Sequence, residues 1–458
     1  MDMARVRSRC AAAAVLAAGL WLSGGAAFAA GPERAFVLEN GLRVFLYEKR
    51  DLPLLHVVTG FDVGVKDETD ETNGLVHLLE HCILFRGTSA GSEGAIGARM
   101  RRHGASFNGR TGPDLAVFEI SLPAAFADFA LRSHRDILFG FETTQAEIDS
   151  EKQVILEELG QMEDDPERSA LDLVFQDLFA GHPYGRSVYG RREVVTEATR
   201  DALMAFHRAA FVADNCALAA VGDFDAADME RRVREVFGAL PRTGFEPPAI
   251  PMAEPLDKSV SRSLVRDVRE GYLVIAFNAP DYNHADQYAL NVLVEALGRG
   301  VNPLLAGHLH ALRDSVQNVS MSYLARRFGG AAVVSIRARP KDLAIVERAA
   351  VRFLRQARDM SYSSGDYAGL EASMAAFDYL AMAKNQIRFA TGQAEESGLQ
   401  LAASLVRHML LNTRPDPGRY LESIARVDSS DLRKVASRYL GRGEYAAVSV
   451  VPPERRGP

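Results

Sequence analysis

The chain has 458 residues, a length too great for one compact core and indicative of two to four domains. Its hydrophobic fraction of 47% and charged fraction of 25% are ordinary for a soluble globular protein, and they exclude a disordered, collagen-like or polytopic membrane protein. The formal net charge of -7 argues against a nucleic-acid partner. Three cysteines are too few for a disulfide scaffold.

The N-terminal segment has the three parts of a signal peptide. Basic residues precede an apolar run at 11–22, and the Ala-Phe-Ala sequence at 27–29 has the small residues of a signal-peptidase site. We therefore expect removal of residues 1–29, export to the periplasm and no stable membrane span in the mature protein. An uncleaved membrane anchor is the alternative, which the shortness of the apolar run disfavours.

Strands and helices alternate irregularly in the first half of the mature chain. Asn40-Gly41 lies between two apolar runs and predicts a hairpin over 37–44. Thr144 and Glu147 have the spacing of a capping box and predict a helix that continues past Glu158. The other elements predicted for this half are strands at 54–63, 116–122 and 215–221 and helices at 74–85, 93–103 and 124–139.

A proline-rich segment follows, with five prolines between 241 and 255. This concentration favours extended chain, so we predict a linker at 241–260 between an N-terminal domain at 30–240 and a related C-terminal domain at 261–458. The second half is predicted to contain strands at 271–278, 331–338 and 445–451 and helices at 285–297 and 435–440. The pattern predicts an α+β fold in two similar halves, because the elements do not alternate strictly as βαβ.

The most informative stretch contains two histidines, His77 and His81, four residues apart. On a helix they project from one face, one turn apart, so that two imidazoles can share one zinc ion. Glu80 borders the same face and is placed to take a proton from a metal-bound water rather than to be the third ligand. The flanking residues are apolar, and a buried helix needs partners for such polar groups. A solvated helix with two histidines is the alternative.

The third ligand of a catalytic zinc must come from elsewhere, since such sites commonly have three protein ligands and one open position. The acidic segment 151–158 is the best candidate, because Glu151 and Glu158 are seven residues apart and share one helix face. One carboxylate could bind the metal while the other supports a ligand. Spacing alone does not distinguish the two, and a solvated acidic helix is the alternative.

The HxxEH sequence at 77–81 is the inverted zinc motif of the inverzincins. The chain resembles the pitrilysin/insulinase/mitochondrial-processing-peptidase family in this motif and in four other segments that follow the same order along the chain, at 40–43, 151–158, 182–185 and 215–223. The resemblance covers nearly the whole mature chain and is most specific before the proline-rich segment. It implies two similar α/β-sandwich halves with mixed, largely antiparallel sheets of the processing-peptidase type.

The resemblance also implies which residues form the site. His77, His81 and Glu158 would hold one Zn²⁺ per chain, Glu80 would be the general base, and Glu151 would be a supporting catalytic acid. The implied activity is that of an exported zinc metalloendopeptidase, which hydrolyses peptide bonds of extended peptides or unfolded segments with a zinc-bound water that Glu80 activates.

Substrate contacts are implied in both halves. Family members bind extended peptide against a sheet edge, which would place Asn108 against the substrate backbone. They also carry an Arg and a Tyr in the second half that stabilise the oxyanion. Arg313 matches the Arg, whereas the Tyr is expected two helical turns later, where Ser320 or Met321 stands, and Tyr323 is displaced from that position.

The displaced tyrosine leaves two interpretations open. Either Tyr323 is a catalytic residue, or the group is missing and a second subunit could supply it. Family members with two halves imply a homodimer, or a heterodimer with a related subunit. The alternative function is therefore a non-catalytic or partner-dependent subunit of a heterodimeric peptidase complex.

Overall fold

The computed structural model of the protein describes residues 33–85, 93–300, 303–312, 315–363, 378–411, 420–441 and 443–453. The predicted signal peptide at 1–29 and Arg313 lie outside the described residues. Within the described ranges, no helix is both long enough and apolar enough to cross a membrane.

The strands form two separate sheets, one in each half of the chain. The first sheet contains β1 (Glu33–Val37), β2 (Arg43–Glu48), β3 (Leu54–Phe61), β4 (Ser106–Thr111), β5 (Ala116–Pro123) and β6 (Cys216–Gly222). The second sheet contains β7 (Val260–Val265), β8 (Gly271–Ala279), β9 (Val316–Arg326), β10 (Gly329–Ala338) and β11 (Tyr445–Val451).

Helices connect the strands and cover the sheets. In the first half they are α1 (Leu75–Phe85), α2 (Glu93–Arg102), α3 (Ala127–Leu138), α4 (Gln145–Asp164), α5 (Pro166–Leu178), α6 (Arg192–Glu197), α7 (Arg200–Ala210) and α8 (Ala226–Phe237). In the second half they are α9 (Asp286–Val294), α10 (Leu304–Leu312), α11 (Leu343–Gln356), α12 (Tyr379–Glu396), α13 (Gly398–Leu411), α14 (Tyr420–Arg426) and α15 (Ser429–Val435).

The two sheets have the same topology. The first has the order β1-β2-β6-β3-β5-β4 and the second the order β7-β11-β8-β10-β9. One neighbouring pair in each is parallel, β2 with β6 and β7 with β11, and the other pairs are antiparallel. Apart from β1, which has no counterpart, the strands β2 to β6 of the first sheet correspond in chain order to β7 to β11 of the second. The expectation of two similar α+β halves with mixed, largely antiparallel sheets is confirmed.

Local signals in the sequence account for several element ends. The predicted hairpin forms between β1 and β2, and its loop is fixed where the Asn40 amide donates to the carbonyl oxygens of Phe237 and Leu240, at 2.8 and 3.1 Å. The capping box at Thr144 is present, and the helix that it opens continues past Glu158 as predicted. The capping box acts through neighbours in the chain, so it is visible before the fold is known, whereas the partners of the Asn40 amide lie 197 and 200 residues away in the sequence.

The halves exchange helices. Helix α5 of the first half packs on β8 and β11, and α13 of the second half packs on the equivalent strands β3 and β6. The approach of α13 is close, because a Cβ added to Gly60 on β3 would lie 2.4 Å from a methyl carbon of Val406. One hydrophobic core cluster accordingly combines Val58 and Ala219 of the first sheet with Leu405 of the second half.

Polar contacts tie the halves together beside this core. Arg327, in the turn between β9 and β10, pairs with Asp62 at 2.6 Å, and its backbone N–H donates to Asp114 at 3.2 Å. The proline-rich segment 241–256, which connects the two sheets, forms neither helix nor strand. Whether 30–240 and 261–458 are separate folding domains stays a prediction, but the exchanged helices give them a continuous interface.

Candidate metal centre

The predicted zinc ligands meet where α1 crosses α4. His77 and His81 project from one face of α1, one turn apart, with their ring centroids 4.8 Å from each other. Glu158 reaches them from α4, with its Oε2 3.6 Å from His77 Nε2 and 3.7 Å from His81 Nε2. In the part of the chain that the structure describes, no other three His, Cys, Asp or Glu side chains converge in this way.

The spacing of these atoms fits a zinc ion better than direct pairing. At 3.6 and 3.7 Å, the separations between the Glu158 carboxylate and the two imidazoles are too long for hydrogen bonds. They are close to the separation of about 3.4 Å between neighbouring ligand atoms in a tetrahedral zinc site. Two imidazoles and one carboxylate are also a donor set that zinc prefers. The three side chains therefore fit the metal that the sequence predicts, and a fourth position is left for water or substrate.

Each histidine has a partner on its other ring nitrogen. His81 Nδ1 lies 3.4 Å from Glu151 Oε2, and His77 Nδ1 lies 3.5 Å from the carbonyl oxygen of Tyr189. Such partners hold a ligand ring in one orientation and leave its Nε2 to face the metal. The structure thus separates the two acids that spacing left equivalent, because Glu158 faces both Nε2 atoms and Glu151 contacts only the outer side of His81.

Burial and neighbouring charges act differently on the two rings. Burial, together with the charge of His81, lowers the pKa of His77 to about 4, so that its imidazole is neutral at pH 7. Burial alone would also lower the pKa of His81, but the hydrogen bond with Glu151 and the charges of Glu80 and Glu158 raise it overall. A neutral imidazole is the form that binds a metal, so His77 is ready to coordinate without first losing a proton.

Glu80 lies beside the ligand group and is not part of it. Its side chain is buried, on the turn of α1 that faces β4. Burial raises the pKa of Glu80, while the nearby His81 and contacts with Thr111 partly offset the rise. A carboxylate with a raised pKa is a better proton acceptor near neutral pH. This position and environment agree with the predicted base.

Strand β4 forms the edge of the first sheet next to α1. Asn108 is exposed on this edge strand, opposite Glu119 of β5. Gly109 is buried, and a Cβ added there would lie 3.2 Å from Glu80 Cγ and 3.1 Å from the Phe118 ring. The predicted substrate residue and the predicted base therefore lie on neighbouring elements, with Gly109 making room between them.

Tyr323 is not placed as a catalytic residue. The stretch in which the tyrosine was expected, two helical turns after Arg313, contains strand β9, and Tyr323 on this strand is only 3% exposed. Its hydroxyl donates to the carbonyl oxygen of Pro280 at 2.8 Å, inside the core of the second half. This placement argues against Tyr323 as an oxyanion donor. Arg313, the other catalytic residue implied for this half, lies outside the described residues.

Sequence reasoning missed the groups around the ligands. The carbonyl oxygen of Tyr189 lies beside His77, and Glu68 bonds to the Asn73 amide and the Gly74 backbone N–H at the start of the same helix. Glu68 is one acid in a charged loop, and no residue spacing indicates that it contacts the helix. The acceptor at Tyr189 is a backbone carbonyl, which any residue type would provide. The presence of glycine at both 74 and 190 is the one sequence feature that could have pointed to a close contact here.

Comparison with known families identifies the chain. A family model described as insulinase (peptidase family M16) matches residues 56–192. A second model, described as the peptidase M16 inactive domain, matches residues 197–361. The chain belongs to peptidase family M16. The first match contains all the converging ligands and Glu80, whereas the model described as inactive falls mainly on the half without them.

Relatives in family M16 include named peptidases. The chain is 25% identical over 422 residues to a probable mitochondrial-processing peptidase subunit beta of Arabidopsis thaliana, covering 92% of this chain and 78% of the relative. It is 28% identical over 291 residues to an uncharacterized zinc protease of Mycobacterium tuberculosis, covering 62% of this chain and 66% of the relative.

Solved structures share the fold over the full length of their chains. A protease from Helicobacter pylori has a TM-score of 0.82 at 19% identity and covers 92% of this chain and 100% of its own. A peptidase M16 inactive domain from Pseudomonas fluorescens has a TM-score of 0.81 at 19% identity and covers 93% and 100%. At this identity the likeness shows the fold alone.

Proposed function

We propose that this M16 protein is a zinc metalloendopeptidase that hydrolyses peptide bonds in extended peptides or unfolded segments. The observation that carries the proposal is the convergence of His77, His81 and Glu158, whose metal-binding atoms lie within 4.8 Å of one another. One zinc ion per chain is the cofactor that this donor set supports. The similarity to a zinc protease of M. tuberculosis supports the same activity.

The chemistry divides between the metal and Glu80. When bound, zinc polarises the scissile carbonyl and lowers the pKa of its water toward about 7. Glu80 accepts the proton of the attacking water and then delivers it to the leaving amine. Glu151 keeps the His81 ring in place through Nδ1, and the open edge of β4, with Asn108, receives the substrate backbone by strand addition.

A partner subunit is part of the proposal, for two reasons. The two halves share one hydrophobic core cluster, so we do not expect this chain alone to close around a peptide. Tyr323 is buried and donates its hydroxyl to the Pro280 carbonyl oxygen, which argues against it as the oxyanion donor. A homodimer, or a heterodimer with a related subunit, would provide a second wall to the cleft and the missing donor. The subunit name of the A. thaliana relative is consistent with this arrangement.

These same observations favour a second candidate function, in which the chain is a partner-dependent subunit of a heterodimeric peptidase. In that case it would supply the zinc and the base but hydrolyse peptides only with its partner. We further propose export to the periplasm, because the first 29 residues have the pattern of a signal peptide.

The proposal is tested by measuring the rate of peptide hydrolysis in a variant that lacks the carboxylate of Glu80. Glu80→Gln keeps the shape of the side chain but removes the base, so hydrolysis should fall by a factor of about 10²–10⁴ with zinc still bound. Glu157→Gln is the matched control, because Glu157 is exposed on α4 beside a ligand and should leave the rate unchanged. Zinc-dependent hydrolysis that survives in Glu80→Gln would contradict the mechanism. Activity that appears only with a second subunit would favour the partner-dependent function.

A further inference from the structure

Glu68 caps the helix that carries both histidine ligands. Its Oε1 accepts hydrogen bonds from the backbone N–H groups of Gly74 and Val76, at 3.0 and 2.8 Å, in the first turn of α1. Its Oε2 accepts from the Asn73 amide at 2.8 Å. The side chain is only 3% exposed, so these donors replace water completely. A carboxylate in this position satisfies N–H groups that the helix leaves unpaired, and it complements the helix dipole.

The same cap holds a second segment, the loop at 187–191. The Asn73 amide that binds Glu68 also donates to the carbonyl oxygen of Ser187 at 2.9 Å, and the Arg191 N–H donates to the carbonyl oxygen of Asn73 at 2.9 Å. Between these bonds, Gly190 lies so close that a Cβ added to it would be 2.4 Å from Gly74 Cα. Both glycines have positive φ, at 119° for Gly74 and 87° for Gly190. The loop is therefore locked against the start of α1.

The helix cap and the loop at 187–191 both act on His77. The cap fixes the backbone immediately before it, since Val76 N–H is one of the donors to Glu68. The loop provides the carbonyl oxygen of Tyr189, 3.5 Å from His77 Nδ1, and the Tyr189 ring packs edge-on against the imidazole with a centroid separation of 6.1 Å. His81 has its own partner in Glu151, so the cap and the Glu151 contact act on different ligands.

We infer that Glu68 is a positioning residue for the metal centre: through the cap of α1 and the loop at 187–191, it holds the His77 imidazole where it meets His81 and Glu158. The inference rests on the proposed zinc site and adds to it a buried carboxylate that touches neither metal nor substrate. A purely structural cap would stabilise the fold alone, whereas a positioning residue also sets the affinity and geometry of the metal site.

The test measures zinc affinity in the full mature chain with Glu68→Gln. The Glu68 carboxylate accepts hydrogen bonds on both oxygens, from Asn73 and from the start of α1. Glutamine has an NH₂ group in place of one of these oxygens, so the hydrogen bonds on that side must break. Zinc binding, measured by competition with a chelator, should weaken about 10- to 100-fold, the range typical when the partner of a metal ligand is removed. The visible spectrum of the Co²⁺-substituted variant should also change, because the His77 ring is no longer held in its orientation.

Two further variants make the result decisive. Glu71→Gln changes an exposed acid in the same loop and should bind zinc within about twofold of the wild type. Asn73→Ala removes the link between Glu68 and Ser187 and should weaken zinc binding in the same direction, which decides the question if Glu68→Gln does not fold. A Glu68→Gln protein that melts earlier but keeps the wild-type zinc affinity and Co²⁺ spectrum would overturn the inference. Failure of the wild type to bind zinc would instead remove the proposed function itself.

Discussion

The two halves of the molecule have the same strand topology, but among the described residues only the first half brings together three side chains that could bind a metal. Helix α1, which follows β3, carries His77 and His81, whereas its counterpart α9, which follows β8, contains no histidine, cysteine or glutamate. In α9 the polar side chains instead make structural contacts, such as Asn291 with the Tyr420 hydroxyl at 2.6 Å. The two halves therefore share a fold, while a few side chains on α1 and α4 distinguish the half that could bind a metal.

Both halves hold the C-terminal end of α13. Helix α13 packs on the sheet that carries the metal centre, and three of its last carbonyl oxygens, those of Met409, Leu410 and Leu411, accept from side chains. The donors are Arg43, Arg327 and Asn283, so both halves contribute to this helix end. The second half thus packs against the half that contains the candidate ligands.

The largest difference between matched changes in the two halves is expected at Glu151. Glu151→Gln weakens the hold on the His81 ring, so zinc affinity should fall about 10- to 100-fold. Glu347→Gln is a matched change in the second half, where Glu347 accepts from Ser261 and the Tyr445 hydroxyl, and it should leave zinc affinity unchanged. Equal losses of affinity in both variants would mean that the second half also determines metal binding.

The cap of α1 predicts an unusual dependence of stability on pH. Burial raises the pKa of Glu68 to about 7 from its ordinary 4.5, although the donors from Val76, Asn73 and Gly74 and the charge of Arg186 oppose the rise. The folded protein then binds a proton that the unfolded chain has lost, so stability should fall as the pH rises from about 4.5 to 7 and level off above that.

The effect is checked by urea unfolding of the metal-free protein at several pH values. Relative to Glu68→Gln, the wild type should lose on the order of 2 kcal/mol of unfolding free energy between pH 5 and pH 8. Parallel pH profiles of the two proteins would show that Glu68 has the same pKa in the folded and unfolded states.

Gly109 predicts a smaller effect that is confined to the rate. An alanine there brings a methyl group to 3.2 Å from Glu80 Cγ, so the base or the Phe118 ring must move by a few tenths of an ångström. We expect kcat to fall about tenfold without loss of zinc, because small misplacements of a catalytic group are costly. Gly160→Ala on α4, where no atom lies within 4 Å of the added Cβ, is the control. An unchanged kcat in Gly109→Ala would show that the added methyl group does not displace Glu80 from its catalytic position.

The smallest effect is expected at Tyr323, in the second half. Tyr323→Phe removes the hydrogen bond to the Pro280 carbonyl oxygen and should cost about 1 kcal/mol of unfolding free energy, with kcat within about twofold of the wild type. Urea unfolding and steady-state kinetics measure the two quantities. A 10²–10³-fold loss of kcat with unchanged stability would restore Tyr323 as an oxyanion donor.

The sequence predicted best where the physical cause is local. The Asn40-Gly41 turn, the Thr144 capping box and the four-residue spacing of His77 and His81 act through neighbours in the chain. The exchange of α5 and α13 could not be predicted, because it depends on close packing between residues such as Gly60 and Val406 that are distant in sequence. The strand that contains Tyr323 could have been predicted from the alternation of residue types between Val319 and Ala325. The residues at every second position of this stretch are the ones that the structure buries.

The metal content of purified mature protein shows which side chains bind zinc. Elemental analysis should find one zinc per chain in the wild type and in Glu80→Gln, because the base is not a ligand, and little zinc in His77→Ala or Glu158→Gln. Loss of zinc from Glu80→Gln together with its retention in Glu158→Gln would contradict the account, since it would exchange the roles of the two acids.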